Sequence, residues 1–145
     1  MTKDAKEGFG GDTVFARLPP EKWDDLTRTM EDQIVAPGAA IFRQGDPGDK
    51  FYLIRAGRVR VFREDASLET ELSVLQAGDD FGEMALFVDE PRSATVAALE
   101  ETRLMVLSKE QFQSILKDFP NVTFALVRQV SERLLKNANV IGRER

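Results

Sequence analysis

The sequence predicts a mainly β fold, closed or double-sheeted, flanked by α-helices. Three observations predict it. Between Ile34 and Leu107, short apolar runs alternate with turns rich in Gly, Pro and Asp, at the regular spacing of an all-β core. Before this stretch, apolar residues recur instead at helical spacing. After it they do so again, twice, on either side of a proline. No internal repeat or low-complexity segment interrupts this order.

The elements follow in turn. Residues 1–12 are charged and Gly-rich and lack an apolar period, so they read as a flexible leader or linker remnant. Residues 13–145 form the domain, and 13–31 its N-terminal helical part. There Phe15 and Leu18 precede Pro19-Pro20, a helix-start signal, and Trp23, Leu26 and Met30 share the inward face. Residues 32–107 hold the strands: Ile34-Val35, Ala40–Phe42, Phe51–Ile54, Val59–Phe62, Leu72–Leu75, Thr95–Ala98 and Leu104–Leu107. Pro37-Gly38, Gly45-Asp46-Pro47-Gly48, Ala56-Gly57 and Ala77-Gly78-Asp79 read as the turns between them. Arg58-Val59-Arg60-Val61 alternates, arginines on one face and valines on the other. Residues 108–145 turn helical. Ser108-Lys109-Glu110-Gln111 fits a capping box, and Phe112, Ile115, Leu116 and Phe119 follow on one face. Pro120 interrupts this helix, because a proline disfavours helical geometry in the residue before it. A second helix runs from about Val122 to about Asn139.

Composition removes whole classes of function. At 145 residues the chain can bury one real core, and 42% hydrophobic content excludes bulk disorder. Without cysteine there is no disulfide framework, thiolate metal site or thiol nucleophile. Without histidine there is no imidazole base and no usual zinc ligand, which argues against metal-dependent cupin enzymes as well. A net charge of −5 disfavours general attraction to nucleic acid or anionic lipid. No segment has the length of a membrane span and no signal-peptide core is present, so a soluble, cytoplasmic domain with no membrane contact is expected.

The chemistry concentrates in Phe81-Gly82-Glu83-Met84-Ala85-Leu86 and, a few residues on, Pro91-Arg92-Ser93-Ala94-Thr95-Val96. Gly82 allows close approach of the backbone to a ligand. A helical turn starting near Glu83 would aim unpaired N–H groups at an anion. Arg92 offers a planar fork of donors that matches phosphate oxygens. An ionised Glu83 only accepts, so its partner is a hydroxyl or an N–H. An anion cradle beside a hydroxyl acceptor describes a ribose phosphate. Alone, Glu83 reads as a glutamate favoured by a helix dipole, and Arg92 as a solvated arginine; their combination carries the reading. The Gly45–Asp49 stretch has too few ligands for an EF-hand and is not a Walker loop, so it reads as a plain turn. Phe51 and Tyr52 read as core and strand-face residues.

This constellation resembles the phosphate-binding cassette of the cyclic-nucleotide-binding domain family: Phe-Gly-Glu-x-Ala-Leu, a spacer, then Arg-(Ser/Thr/Ala)-Ala-Thr-Val. The resemblance runs from about Phe15 to the last helix. It implies a double-sheet, jelly-roll-like β-roll barrel with an N-terminal helix and two C-terminal helices, the cassette spanning 81–95. It implies that Glu83 holds the ribose 2′-hydroxyl, that Arg92 pairs with the cyclic phosphate, and that backbone amides around Gly82, Ala85 and Ala94 complete the cradle. The implied binding residues are Phe81, Gly82, Glu83, Met84, Ala85, Leu86, Arg92, Ser93, Ala94 and Val74. The ligand is cAMP or cGMP, with no cofactor and no metal. Ser93 is compatible with either, whereas Leu72-Ser73-Val74 lacks the arginine that some cGMP-selective members carry there, which favours cAMP.

The resemblance therefore implies a sensor and not an enzyme, with the last helix transmitting binding. The alternative is the N-terminal sensor part of a catabolite-activator-type transcription regulator. No room for a DNA-reading domain remains within the sequence, so this chain itself would not touch nucleic acid. A binding-dead interaction domain is disfavoured by the presence of both Glu83 and Arg92. On the last helix, Leu126, Val130, Val127, Leu134, Ala138, Phe124 and Leu135 form a broad apolar stripe. Either the whole stripe packs on the chain's own barrel, or part of it meets a second copy or a linked effector domain.

Overall fold

The computed structural model describes residues 18–83 and 90–143, with side chains as far as 135. The leader 1–12, Phe15, Met84, Ala85, Leu86 and the side chain of Ala138 lie outside the described residues. Helix α1 (Pro20–Thr29) opens behind Pro19, with proline in its first turn, and closes where the Met30 N–H donates to the Leu26 carbonyl at 3.1 Å. The strands are β1 (Glu31–Val35), β2 (Ala40–Phe42), β3 (Lys50–Ala56), β4 (Arg58–Asp65), β5 (Leu68–Gln76), β6 (Asp80–Phe81), β7 (Thr95–Ala98) and β8 (Thr102–Ser108). Helices α2 (Lys109–Asp118) and α3 (Pro120–Arg143) complete the order.

Two four-stranded antiparallel sheets result, ordered β1-β8-β3-β6 and β2-β7-β4-β5. The double-sheet, mainly β fold is as expected; among the described residues the sheets stay separate and do not close into a barrel. Every expected strand is present. Strand β6 was not expected, being only two residues long, and it pairs with Tyr52 and Leu53 of β3.

The register of β3 explains its unbroken apolar run. Alternate side chains of a strand point to opposite faces, and both faces of β3 are covered. Phe51 and Leu53 join Trp23, Leu107, Phe112, Val122 and Leu126 in a core beneath the helices. Tyr52 and Ile54 join Val59, Phe81, Val96 and Leu104 in a second core between the sheets. Phe51 stacks on Phe112 with centroids 4.5 Å apart, which seats α2 on the sheet. The Ser108 side chain accepts from Gln111 N, and the Gln111 side chain accepts from Ser108 N, the reciprocal capping box read from the sequence. Such a cap is worth about 1 kcal/mol. Pro120 occupies the first position of α3, where its missing N–H costs no hydrogen bond, so the helix starts earlier than expected and extends further, to Arg143.

Candidate functional site

A cavity of about 420 Å³ opens between the two sheets and α3. That size lies within the usual range for small-molecule sites, roughly 300–1,000 Å³. Phe81, Gly82, Glu83, Arg92, Ser93 and Ala94 all line it, so the two halves of the sequence motif meet at one wall.

Gly82 follows directly on β6 and has φ of +91°, a conformation that side chains with a Cβ rarely adopt. A Cβ there would stand 3.0 Å from the Lys50 carbonyl oxygen and 3.2 Å from Arg92 Nη1. The glycine thus makes room for the arginine. Arg92 is 7% exposed. Its Nη1 donates to the Gly82 carbonyl at 3.1 Å and its Nη2 to the Lys50 carbonyl at 2.9 Å. The guanidinium carbon lies 4.0 Å from the centroid of the Phe42 ring. Its Nε is buried with no hydrogen-bond partner among the described residues. The salt bridges found among those residues do not include Arg92. Burial lowers the guanidinium pKa, but arginine stays cationic at neutral pH. A buried cation among the residues that line a cavity has the chemistry to receive an anion.

The backbone of Arg92 is fixed by the Gly45–Gly48 turn. Gly45 N donates to the Arg92 carbonyl at 2.8 Å, and Arg92 N donates to the Asp46 carbonyl at 2.7 Å. The turn read as plain from the sequence therefore sets the position of the arginine.

Glu83 is 5% exposed. Its Oε1 accepts from Arg133 Nη1 of α3. Burial pushes the carboxyl up to about 7, while the Arg133 charge opposes the rise and the Asp80 charge adds to it. Arg133 Nη2 also donates to the Asp80 carbonyl at 2.6 Å and lies 3.3 Å from Asp80 Oδ1.

Val74 departs from the expectation. It is 45% exposed and does not line the cavity, whereas Leu72, Ser73 and Leu75 do. The register explains this: Ser73 faces Val61 and Glu71 faces Phe62, so Leu72 is an extra, bulged residue. Beyond the bulge the alternation turns Ser73 and Leu75 inward and leaves Val74, opposite Arg60, on the other face.

The sequence reading also missed Arg133, Asp80, Asp79 and Glu90. For Arg133 a signal existed, since it follows Val130 by three positions and so flanks the apolar stripe of α3. The stripe itself is divided. Leu126 is buried and Val130 partly so, whereas Phe124, Val127, Leu134 and Leu135 are exposed, so the stripe does not pack wholly on its own sheets.

A sequence model described as the cyclic nucleotide-binding domain matches residues 33–119. The chain belongs to the cyclic nucleotide-binding domain family. It is 34% identical over 125 residues to the cyclic AMP receptor protein of Thermus thermophilus, covering 86% of this chain and 58% of that protein. It is 34% identical over 111 residues to a cAMP-dependent protein kinase regulatory subunit of Blastocladiella emersonii, covering 76% of this chain and 28% of the relative. The chain thus spans less than two thirds of the length of either. Among solved structures, the catabolite activator protein of Thermus thermophilus superposes with a TM-score of 0.79 at 32% identity, over 89% of this chain and 61% of that one. The regulatory domain of Toxoplasma gondii PKA, crystallised with cAMP, superposes with a TM-score of 0.70 at 27% identity, over 81% of this chain and 47% of that one. Membership in this family carries a sensor or regulatory role.

Proposed function

We propose that this domain binds cAMP in preference to cGMP, without a cofactor, and transmits binding through α3. The observation that carries the reading is Arg92, a buried guanidinium whose Nε has no partner among the described residues and which lines the same cavity as the buried carboxylate of Glu83. The cyclic phosphate takes Arg92 together with the backbone amides of the cassette, for which Met84, Ala85 and Leu86 remain the proposed surroundings. The ribose 2′-hydroxyl donates to Glu83. The preference for cAMP is supported by the absence of arginine from β5 next to the cavity, and by relatives that are named for cAMP. The nucleotide acts as an unaltered effector, so the domain is a receptor and not an enzyme. No described helix is long and apolar enough to cross a membrane, in keeping with a cytoplasmic place of action.

The exposed face of α3 is the proposed contact with a second copy of the chain, a linked effector domain being the other candidate occupant. A second reading, the sensor part of a catabolite-activator-type transcription regulator, draws on the likeness to the Thermus receptor protein. In that reading a separate domain of the same protein reads DNA. Calorimetric titration with cAMP and with cGMP tests the main reading. It predicts saturable, one-site binding with cAMP the tighter ligand, and absence of heat with both nucleotides would refute it.

A further inference from the structure

The first half of α3 is held by apolar burial, whereas the large apolar side chains described beyond Val130 are exposed. Val122 and Leu126 are fully buried and Val130 is partly buried, but Leu134 and Leu135 are exposed. Beyond Leu126, polar contacts join the packing of Val130. Gln129 and Arg133 stand four residues apart and so project from one face. Gln129 Nε2 donates to Asp80 Oδ1. Arg133 reaches the Asp80 carbonyl at 2.6 Å, lies 3.3 Å from Asp80 Oδ1, and donates to Glu83 Oε1. The side chain of Asp80 is 1% exposed and that of Arg133 30% exposed, so the clasp joins a buried carboxylate on β6 to a half-open cation on the helix.

We propose that Asp80 is a positioning residue that seats α3 on the rim of the cavity through Gln129 and Arg133. The clasp consists of protein groups alone, so none of its contacts requires nucleotide. Its physical basis is the charge-assisted pairing that α3 supplies to buried carboxylates: when the helix lifts, Asp80 and Glu83 lose the guanidinium that contacts both. Glu83 is also the carboxylate offered to the ribose. Asp80 gives Arg133 a second partner, so the helix stays seated when Glu83 turns to a hydroxyl. That last consequence rests on the nucleotide reading above; the clasp itself does not.

Amide hydrogen exchange across residues 122–135 tests the proposal, with the β3 segment 51–54 as the control for an intact fold. In the nucleotide-free protein, Asp80→Ala should lower protection of the α3 segment about 10-fold or more, the equivalent of a lost hydrogen bond to a charged group, and leave 51–54 unchanged. Arg133→Ala should do the same. The double variant should lose more than either single one but less than the product of the two losses, because the Asp80–Arg133 contact is shared while Gln129 and Glu83 are separate partners. Unchanged protection in the single variants, or losses that multiply in the double one, would overturn the clasp. If Asp80→Ala does not fold, Arg133→Gln makes the same test from the helix side, and unchanged α3 protection in it overturns the proposal. Saturating cAMP should then restore the helix, so that the gain in protection is larger in Asp80→Ala than in wild type; an equal or smaller gain contradicts the account. If neither protein binds cyclic nucleotide, the nucleotide reading falls, while the nucleotide-free comparison still decides the clasp.

Discussion

Arg92 donates its Nη1 to the carbonyl oxygen of Gly82 at 3.1 Å, so the glycine and the arginine of the motif hold one another. Gly82 has φ of +91°, and a Cβ on it would stand 3.0 Å from the Lys50 carbonyl oxygen. Gly82→Ala should therefore destabilise the domain by roughly 1–2 kcal/mol from the backbone alone, and also weaken nucleotide binding by displacing Arg92. Chemical denaturation checks the first effect and titration the second. An alanine variant with wild-type stability and affinity would show that the close packing around Gly82 is dispensable.

Glu83 should read the ribose. The 2′-deoxy analogue of cAMP should bind more weakly than cAMP by about 1.5–3 kcal/mol, the range for a hydrogen bond to a charged group. Competition binding measures the difference, and equal affinities would reduce Glu83 to a partner of Arg133. Linear 5′-AMP should bind poorly as well, since its unconstrained dianionic phosphate does not match the cradle.

Burial lifts the Glu83 carboxyl to about 7 from an ordinary value of 4.5. The folded protein then holds this proton more tightly than the unfolded chain does. The resulting stabilisation is fully present below pH 4.5 and is lost as pH rises through about 7. Glu83→Gln is neutral throughout, so its stability relative to wild type should climb across that window. Urea unfolding of both proteins at several pH values checks this, and parallel stability profiles would contradict it.

The exposed residues of α3 should mediate self-association. Phe124 and Leu135 are 76% and 68% exposed, and they share a helix face with Val127 and Leu134. The double substitution Phe124→Glu, Leu135→Glu should convert a dimer to a monomer while changing monomer stability by no more than about 0.5 kcal/mol per site, as for other surface positions. Sedimentation velocity reads the outcome; a monomeric wild type would remove the second copy as occupant of this face.

What the sequence made legible was local. The capping box at Ser108 and Gln111, the proline start of α1 and the apolar run of β3 are each written within a few adjacent residues, and each stands where it was expected. The motif residues Gly82, Glu83, Arg92 and Ala94 meet at one cavity for a similar reason, since they lie within thirteen consecutive positions of the sequence. What escaped depended on register or on distant parts of the chain. A bulged residue, Leu72, changed which side chains of β5 face inward and removed Val74 from the cavity. Strand β6 was too short to show a period. The contacts of Arg133 with Asp80 and Glu83 join positions about fifty residues apart, and no local pattern encodes such a pairing.

The central claim is that the guanidinium of Arg92 receives a cyclic phosphate. Calorimetric titration of Arg92→Ala with cAMP, on protein whose cooperative melting shows it to be folded, tests that most directly. Removing one partner of a desolvated charge pair costs roughly 2–5 kcal/mol, so the account predicts a loss of affinity of about 30-fold to a few thousand-fold. Binding within a few-fold of wild type would contradict it.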